Sequence, residues 1–200
     1  MKPSLKISCA LTLALLAGGA SAAPIYWTDW TGSDQDPGVG FIGSGTITTP
    51  TSTVSVTYTN ARGIAFYQAA GGTYYYSNGS DGPAGTSPYT SAQVDNRPPT
   101  ADIVALQYAG TQSLVFSQAI ANPVFAFVSL NGNGYGFDQD FDILSFGGAD
   151  GNACGYWGCG TSYKNIVTVN GKTEYQLLGT GEPHGTLRFT GTFDTVSWRS

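Results

Sequence analysis

Residues 165–178 read NIVTVNGKTEYQLL. Two runs rich in β-branched and aromatic residues flank Asn170-Gly171. Asn-Gly suits a two-residue hairpin turn, because both central residues must adopt positive φ. Residues 165–169 and 173–178 are therefore predicted to be paired antiparallel strands. The same pattern continues outward. Residues 53–59, TVSVTYT, alternate Val54, Val56 and Tyr58 with Thr53, Ser55, Thr57 and Thr59. This is the period-two signature of a strand with one buried face. Further strands are predicted over 25–30, 39–48, 63–67, 103–108, 113–117, 124–130, 141–146, 186–190 and 193–198, punctuated by Gly, Asn and Pro turns. Residues 124–130, VFAFVSL, are apolar at both parities and read as a central strand covered on both faces. Residues 33–40 hold Asp34, Asp36 and Pro37 and read as a turn. No segment shows a helical period. The expected fold is all-β: a single antiparallel β-sandwich, jelly-roll-like in its strand spacing, with a long loop at about 69–100.

The ends and the charge bound the function classes. Lys2 and Lys6 precede an apolar run over 7–17, and Ala20-Ser21-Ala22 follows as a small-residue cleavage site. Residues 1–22 read as a secretory signal peptide, leaving a domain at 23–200. The apolar run is short for a bilayer about 30 Å thick, so no membrane insertion is expected after cleavage. Only 10% of the chain is charged. Without Lys2 and Lys6, six basic residues face thirteen acids, a net charge near −7. Nucleic-acid binding needs Lys and Arg to neutralise phosphates, and no basic cluster exists, so that partner class is set aside.

Three groups of residues are candidates for function. Cys154 and Cys159 frame Tyr156 and Trp157 in CGYWGC. In an exported chain they read as a disulfide that fixes the Tyr156-Trp157 turn. A zinc site needs four ligands, and only His184 stands ready to join the cysteines. Asp138, Asp140 and Asp142 alternate, so an extended chain would present all three on one face. Such a face is either solvated or bridged by calcium, which takes hard oxygen ligands. Both readings remain open, and no other cofactor is expected. Glu182 and His184 flank Pro183 and pair a carboxylate with the sole histidine, a combination that serves general acid–base catalysis or a turn before a strand. Tyr74, Tyr75 and Tyr76 open the long loop, either as sugar or protein contacts or packed on the sheet.

Four blocks carry a resemblance: ADIVAL at 101–106, NPVFAFVSL at 122–130, FDILS at 141–145 with GYWGCG at 155–160, and HGTLRFTGTFDTVSW at 184–198. In this order they resemble a group of secreted bacterial β-proteins, many of which carry a PEP-CTERM sorting signal. YWTDW and TVSVTYT near the start also fit. The resemblance implies an exported protein of the surface or matrix and carries over no catalytic residue. The chain stops at Ser200 without the proline motif, hydrophobic helix and basic tail of that signal. Either a freely released protein or a truncated sequence is expected.

Together these readings lead to one functional expectation. It is an exported, non-catalytic module of the envelope or extracellular space that binds carbohydrate through Tyr156, Trp157, Asp138, Asp140 and Asp142. The partner is an extracellular polysaccharide or an envelope protein. The alternative is a secreted hydrolase acting on polysaccharide, which would need two facing carboxylates about 5–10 Å apart.

Overall fold

In the computed structural model, described residues cover 24–36, 40–78, 86–131, 133–145 and 153–200. The signal-peptide reading of 1–22, residues 37–39 of the expected turn, residues 79–85 of the expected long loop and the glycine-rich sequence at 146–152 lie outside them.

Among the described residues the fold is all-β, with fourteen strands and no helix. In chain order these are β1 (Asp29–Asp36), β2 (Gly40–Thr48), β3 (Thr53–Asn60), β4 (Phe66–Gln68), β5 (Ile103–Ala105), β6 (Thr111–Ala121) and β7 (Val124–Phe127). They continue as β8 (Gly134–Phe137), β9 (Phe141–Ser145), β10 (Ala153–Gly155), β11 (Gly158–Val169), β12 (Lys172–Gly181), β13 (Gly185–Phe189) and β14 (Thr192–Arg199). Nine strands form one antiparallel sheet in the order β1-β2-β3-β6-β14-β8-β12-β11-β10. A three-stranded sheet, β7-β13-β9, and a two-stranded pair, β4-β5, complete the layers. The architecture is consistent with a β-sandwich.

The hairpin expected at 165–178 is present. β11 and β12 pair from Val169↔Lys172 back to Gly160↔Gly181. Asn170 and Gly171 take φ of 52° and 76°, as that turn requires. The expected alternation in β3 is also present, with Val54, Val56 and Tyr58 buried and Thr53 and Ser55 exposed.

The core lies between the large sheet and the smaller ones. Phe137 of β8 is fully buried. Its ring meets Phe141 and Phe189 of the small sheet at centroid distances of 5.5 and 5.0 Å, and Trp198 of the large sheet at 5.9 Å. These tilted and edge-to-face pairs add specific attraction to the burial of large rings.

Several expectations need correction. β1 continues through residues 33–36, where a turn was expected, because β2 offers it a paired edge from Thr46 to Gly40. The predicted central strand over 124–130 forms only Val124–Phe127, and it lies at an edge of the small sheet, paired with β13 alone. Its apolar pattern has a different cause. Phe127 is buried in the core, Phe125 packs on Phe137 and Trp198, and the strand also lines an internal cavity. At the opposite end of the large sheet, β10 covers only Gly158–Gly160 of β11. Among the described residues, 161–169 of that strand are unpaired on their outer side.

Candidate functional site

β10 and β11 form a tight hairpin with Tyr156 and Trp157 at its tip. Cys154 and Cys159 lie directly opposite one another in the register and are joined by a disulfide. Closing so short a loop contributes about 2 kcal/mol in the chain-entropy picture. The tip is largely exposed, with Tyr156 at 44% and Trp157 at 46%. Tyr75, from the long loop, stacks on the indole with centroids 4.5 Å apart and planes 19° from parallel. Tyr156 meets the rings of both Tyr75 and Trp157 edge-on. The result is a braced cluster of three aromatic rings.

Beneath the hairpin is His184, fully buried. Gly155 lies against its ring, and a Cβ there would collide with Nδ1, Cε1 and Cγ. Nδ1 accepts the Ser129 backbone N–H at 3.3 Å and contacts the Tyr89 hydroxyl at 3.1 Å. Burial pushes the Tyr89 hydroxyl well above its ordinary pKa, so it remains an O–H donor. With Nδ1 accepting, the ring proton is assigned to Nε2. Nε2 faces the Gly158 backbone without a well-formed hydrogen bond. Desolvation lowers the His184 pKa to about 4, so the ring is neutral near neutral pH.

Glu182 leads away from this histidine. Its carboxylate receives the Ser129 hydroxyl. With the Asn131 amide nitrogen turned toward it, Asn131 also donates at 2.6 Å. Ser129 and Asn131 hold φ of 55° and 52°. That left-handed backbone is uncommon outside glycine and tends to be kept where a side chain must be aimed. Glu182 and His184 are therefore not an acid–base pair: one is at the surface with polar partners, and the other is a sealed, neutral support for the hairpin.

Trp157, Glu182, Ser129 and Asn131 belong to the lining of a cavity of about 970 Å³, partly open to solvent. The segment before β1 closes another side through Tyr26 and Trp27. It is clasped by Asn96, which accepts from the Ile25 N–H at 2.7 Å and donates to its carbonyl at 2.8 Å. Asp102 holds the start of β1 by accepting the Trp30 N–H at 3.0 Å, and burial raises its pKa.

The tyrosines of the long loop are packed within the protein to different degrees. Tyr76 and Tyr89 are buried, and the Tyr74 hydroxyl is tied to the Pro98 carbonyl at 2.6 Å. Tyr75 alone joins the aromatic cluster.

The structure splits the expected ligand set. Trp157 lines the cavity and Tyr156 packs edge-on against it, whereas Asp138, Asp140 and Asp142 do not line it. The expected common face of the aspartates is also broken, because β8 ends at Phe137 and β9 begins only at Phe141. Each aspartate engages its own neighbour. Asp138 accepts the Ser197 N–H at 2.9 Å, Asp140 pairs with Lys164, and Asp142 faces Arg188 at 3.5 Å. Lys164 is seven residues along β11 from Trp157, about 20 Å at strand spacing. Among the described residues, no group of three or more His, Cys, Asp or Glu side chains is placed to hold a metal ion, and no helix is long and apolar enough to cross a membrane.

Sequence reasoning missed Ser129 and Asn131 as parts of the mouth. Ser129 reaches Glu182 across 53 residues of chain, a contact that no local pattern encodes. Comparison of the chain with protein-family models, curated proteins and solved structures finds no match.

Proposed function

We propose that this chain is an exported, non-catalytic module of the bacterial envelope or extracellular matrix, and that it binds carbohydrate at the mouth of the cavity. The observation that carries this reading is exposed Trp157, braced by Tyr75 and Tyr156, on the same cavity lining as Glu182 and Asn131. A flat indole accepts the C–H face of a sugar ring, while a carboxylate and an amide accept and donate to hydroxyls. Bracing by Tyr75 and the disulfide lowers the ordering cost of binding. One feature supports export: the cysteine pair is oxidised, and disulfides persist in oxidising compartments. The net charge near −7 favours a neutral glycan over a uronic-acid-rich one.

A glycan array read with the intact protein and with Trp157→Ala tests this. Neutral glycans are expected to bind, with at least tenfold weaker binding in the variant. Chelator is expected to leave binding unchanged, since the three aspartates have protein partners away from the mouth. An array with no bound glycan overturns the reading. The hydrolase alternative retains Glu182 as a carboxylate at the mouth but has lost its imidazole partner. Release of reducing sugar abolished in Glu182→Gln would restore it.

A further inference from the structure

The cavity behind Trp157 is unusual for a protein interior. Packed interiors hold few voids larger than a water molecule, and clefts of about 300–1,000 Å³ hold drug-sized ligands. This one reaches about 970 Å³. Leu114, Phe116 and Ile120 of β6, Phe125 and Phe127 of β7, and Trp198 of β14 form apolar walls. Such walls offer water few hydrogen-bond partners. The inward placement of Leu114 follows the register of its strand, where Gln112 and Phe116 are buried and Val115 is 41% exposed.

Charge narrows the occupant. Among the described residues, the lining includes two side-chain carboxylates, Asp102 and Glu182, and no lysine, arginine or histidine. Asp102 is buried and already accepts a backbone N–H, and Glu182 is engaged at the mouth by Ser129 and Asn131. A fatty-acid carboxylate would find like charge and no cation, an arrangement that costs free energy. A hydroxylated, uncharged head meets acceptors that it can donate to.

We propose that the cavity holds the hydrocarbon chain of an uncharged amphiphile whose hydroxylated head lies at Glu182, Asn131 and Trp157. The head rests on the carbohydrate reading and makes the ligand a neutral glycolipid. The chain site rests on the cavity alone.

The test is displacement of the neutral fluorophore N-phenyl-1-naphthylamine from the purified protein at pH 8, below micellar concentrations. Dodecanol and dodecyl maltoside are expected to displace it at least tenfold more effectively than dodecanoate. Leu114→Trp, which fills the cavity, is expected to weaken fluorophore binding at least tenfold while the melting temperature stays within a few degrees. The charge series on the unaltered protein decides the matter even if that variant does not fold. Absence of fluorophore binding, equal displacement by dodecanoate, or unchanged binding in a folded Leu114→Trp each overturns the chain site. Glycan binding without displacement by dodecanol overturns it and leaves the carbohydrate reading standing. Displacement by dodecanol but not by dodecyl maltoside overturns the head assignment and leaves the chain site standing.

Discussion

At the scale of single residues, His184 illustrates how burial changes a side chain's role. A histidine beside a glutamate invites a catalytic reading, but here the ring is closed over by Gly155 and its Nδ1 is occupied by Ser129 and Tyr89. Its pKa near 4 has a consequence for stability. Between pH 4 and an unfolded value near 6.5, the unfolded chain binds more protons at this site than the folded one. Stability therefore rises with pH across that window, is fully present above about pH 7 and is lost toward pH 4. A shift of this size corresponds to about 3 kcal/mol. The check is urea unfolding from pH 4 to 7, comparing the protein with His184→Gln; the difference between them should shrink as the pH falls. The comparison is needed because Asp102 and Asp138, whose pKa values are raised by burial, act in the opposite direction.

At the scale of elements, the β10-β11 hairpin is the part whose removal should be felt locally. Replacing both cysteines, Cys154→Ser with Cys159→Ser, is expected to lower stability by about 2 kcal/mol in urea unfolding. It is also expected to speed hydrogen exchange at 153–160 more than in β11-β12 beyond it. Equal acceleration throughout the large sheet would show that the staple acts globally. How much of each element was legible depends on how local its determinants are. The β11-β12 hairpin and β3 were legible because a turn dipeptide and a period of two lie within one window. The length of β1 was not, since a partner strand overrides turn-favouring residues. The edge position of β7 was also hidden, because apolar residues on both faces look the same whether the second face meets a layer or a cavity. The aspartates misled for a related reason: alternation counts only while the chain stays extended, and it does not between Phe137 and Phe141.

At the scale of the whole molecule, the rings around Phe137 hold the layers together. Phe125, Phe141 and Phe189 come from the small sheet, and Tyr135, Phe137 and Trp198 from the large one. Phe137→Ala is expected to cost about 3–5 kcal/mol, a large share of the roughly 5–15 kcal/mol that holds a domain folded. A shift of the urea midpoint with unchanged slope is the expected signature. Loss of slope would indicate that the layers unfold separately. The fold class could be read from the sequence because it is the sum of many local strand signals. The mouth of the cavity could not, since its lining is assembled from segments far apart in the chain: before β1, in the long loop, after β7, at the hairpin tip and after β12. The flank of β11 that is unpaired among the described residues shows a different side of this architecture. Residues 161–169, TSYKNIVTV, run along it with Lys164 as their sole charge. Backbone amides and carbonyls in such a row act as a template for a further strand, and charge is the usual deterrent. Here that deterrent is one amine, turned toward Asp140. An unpaired edge of this kind is the first place where added charge would be expected to matter for the behaviour of the purified chain at high concentration.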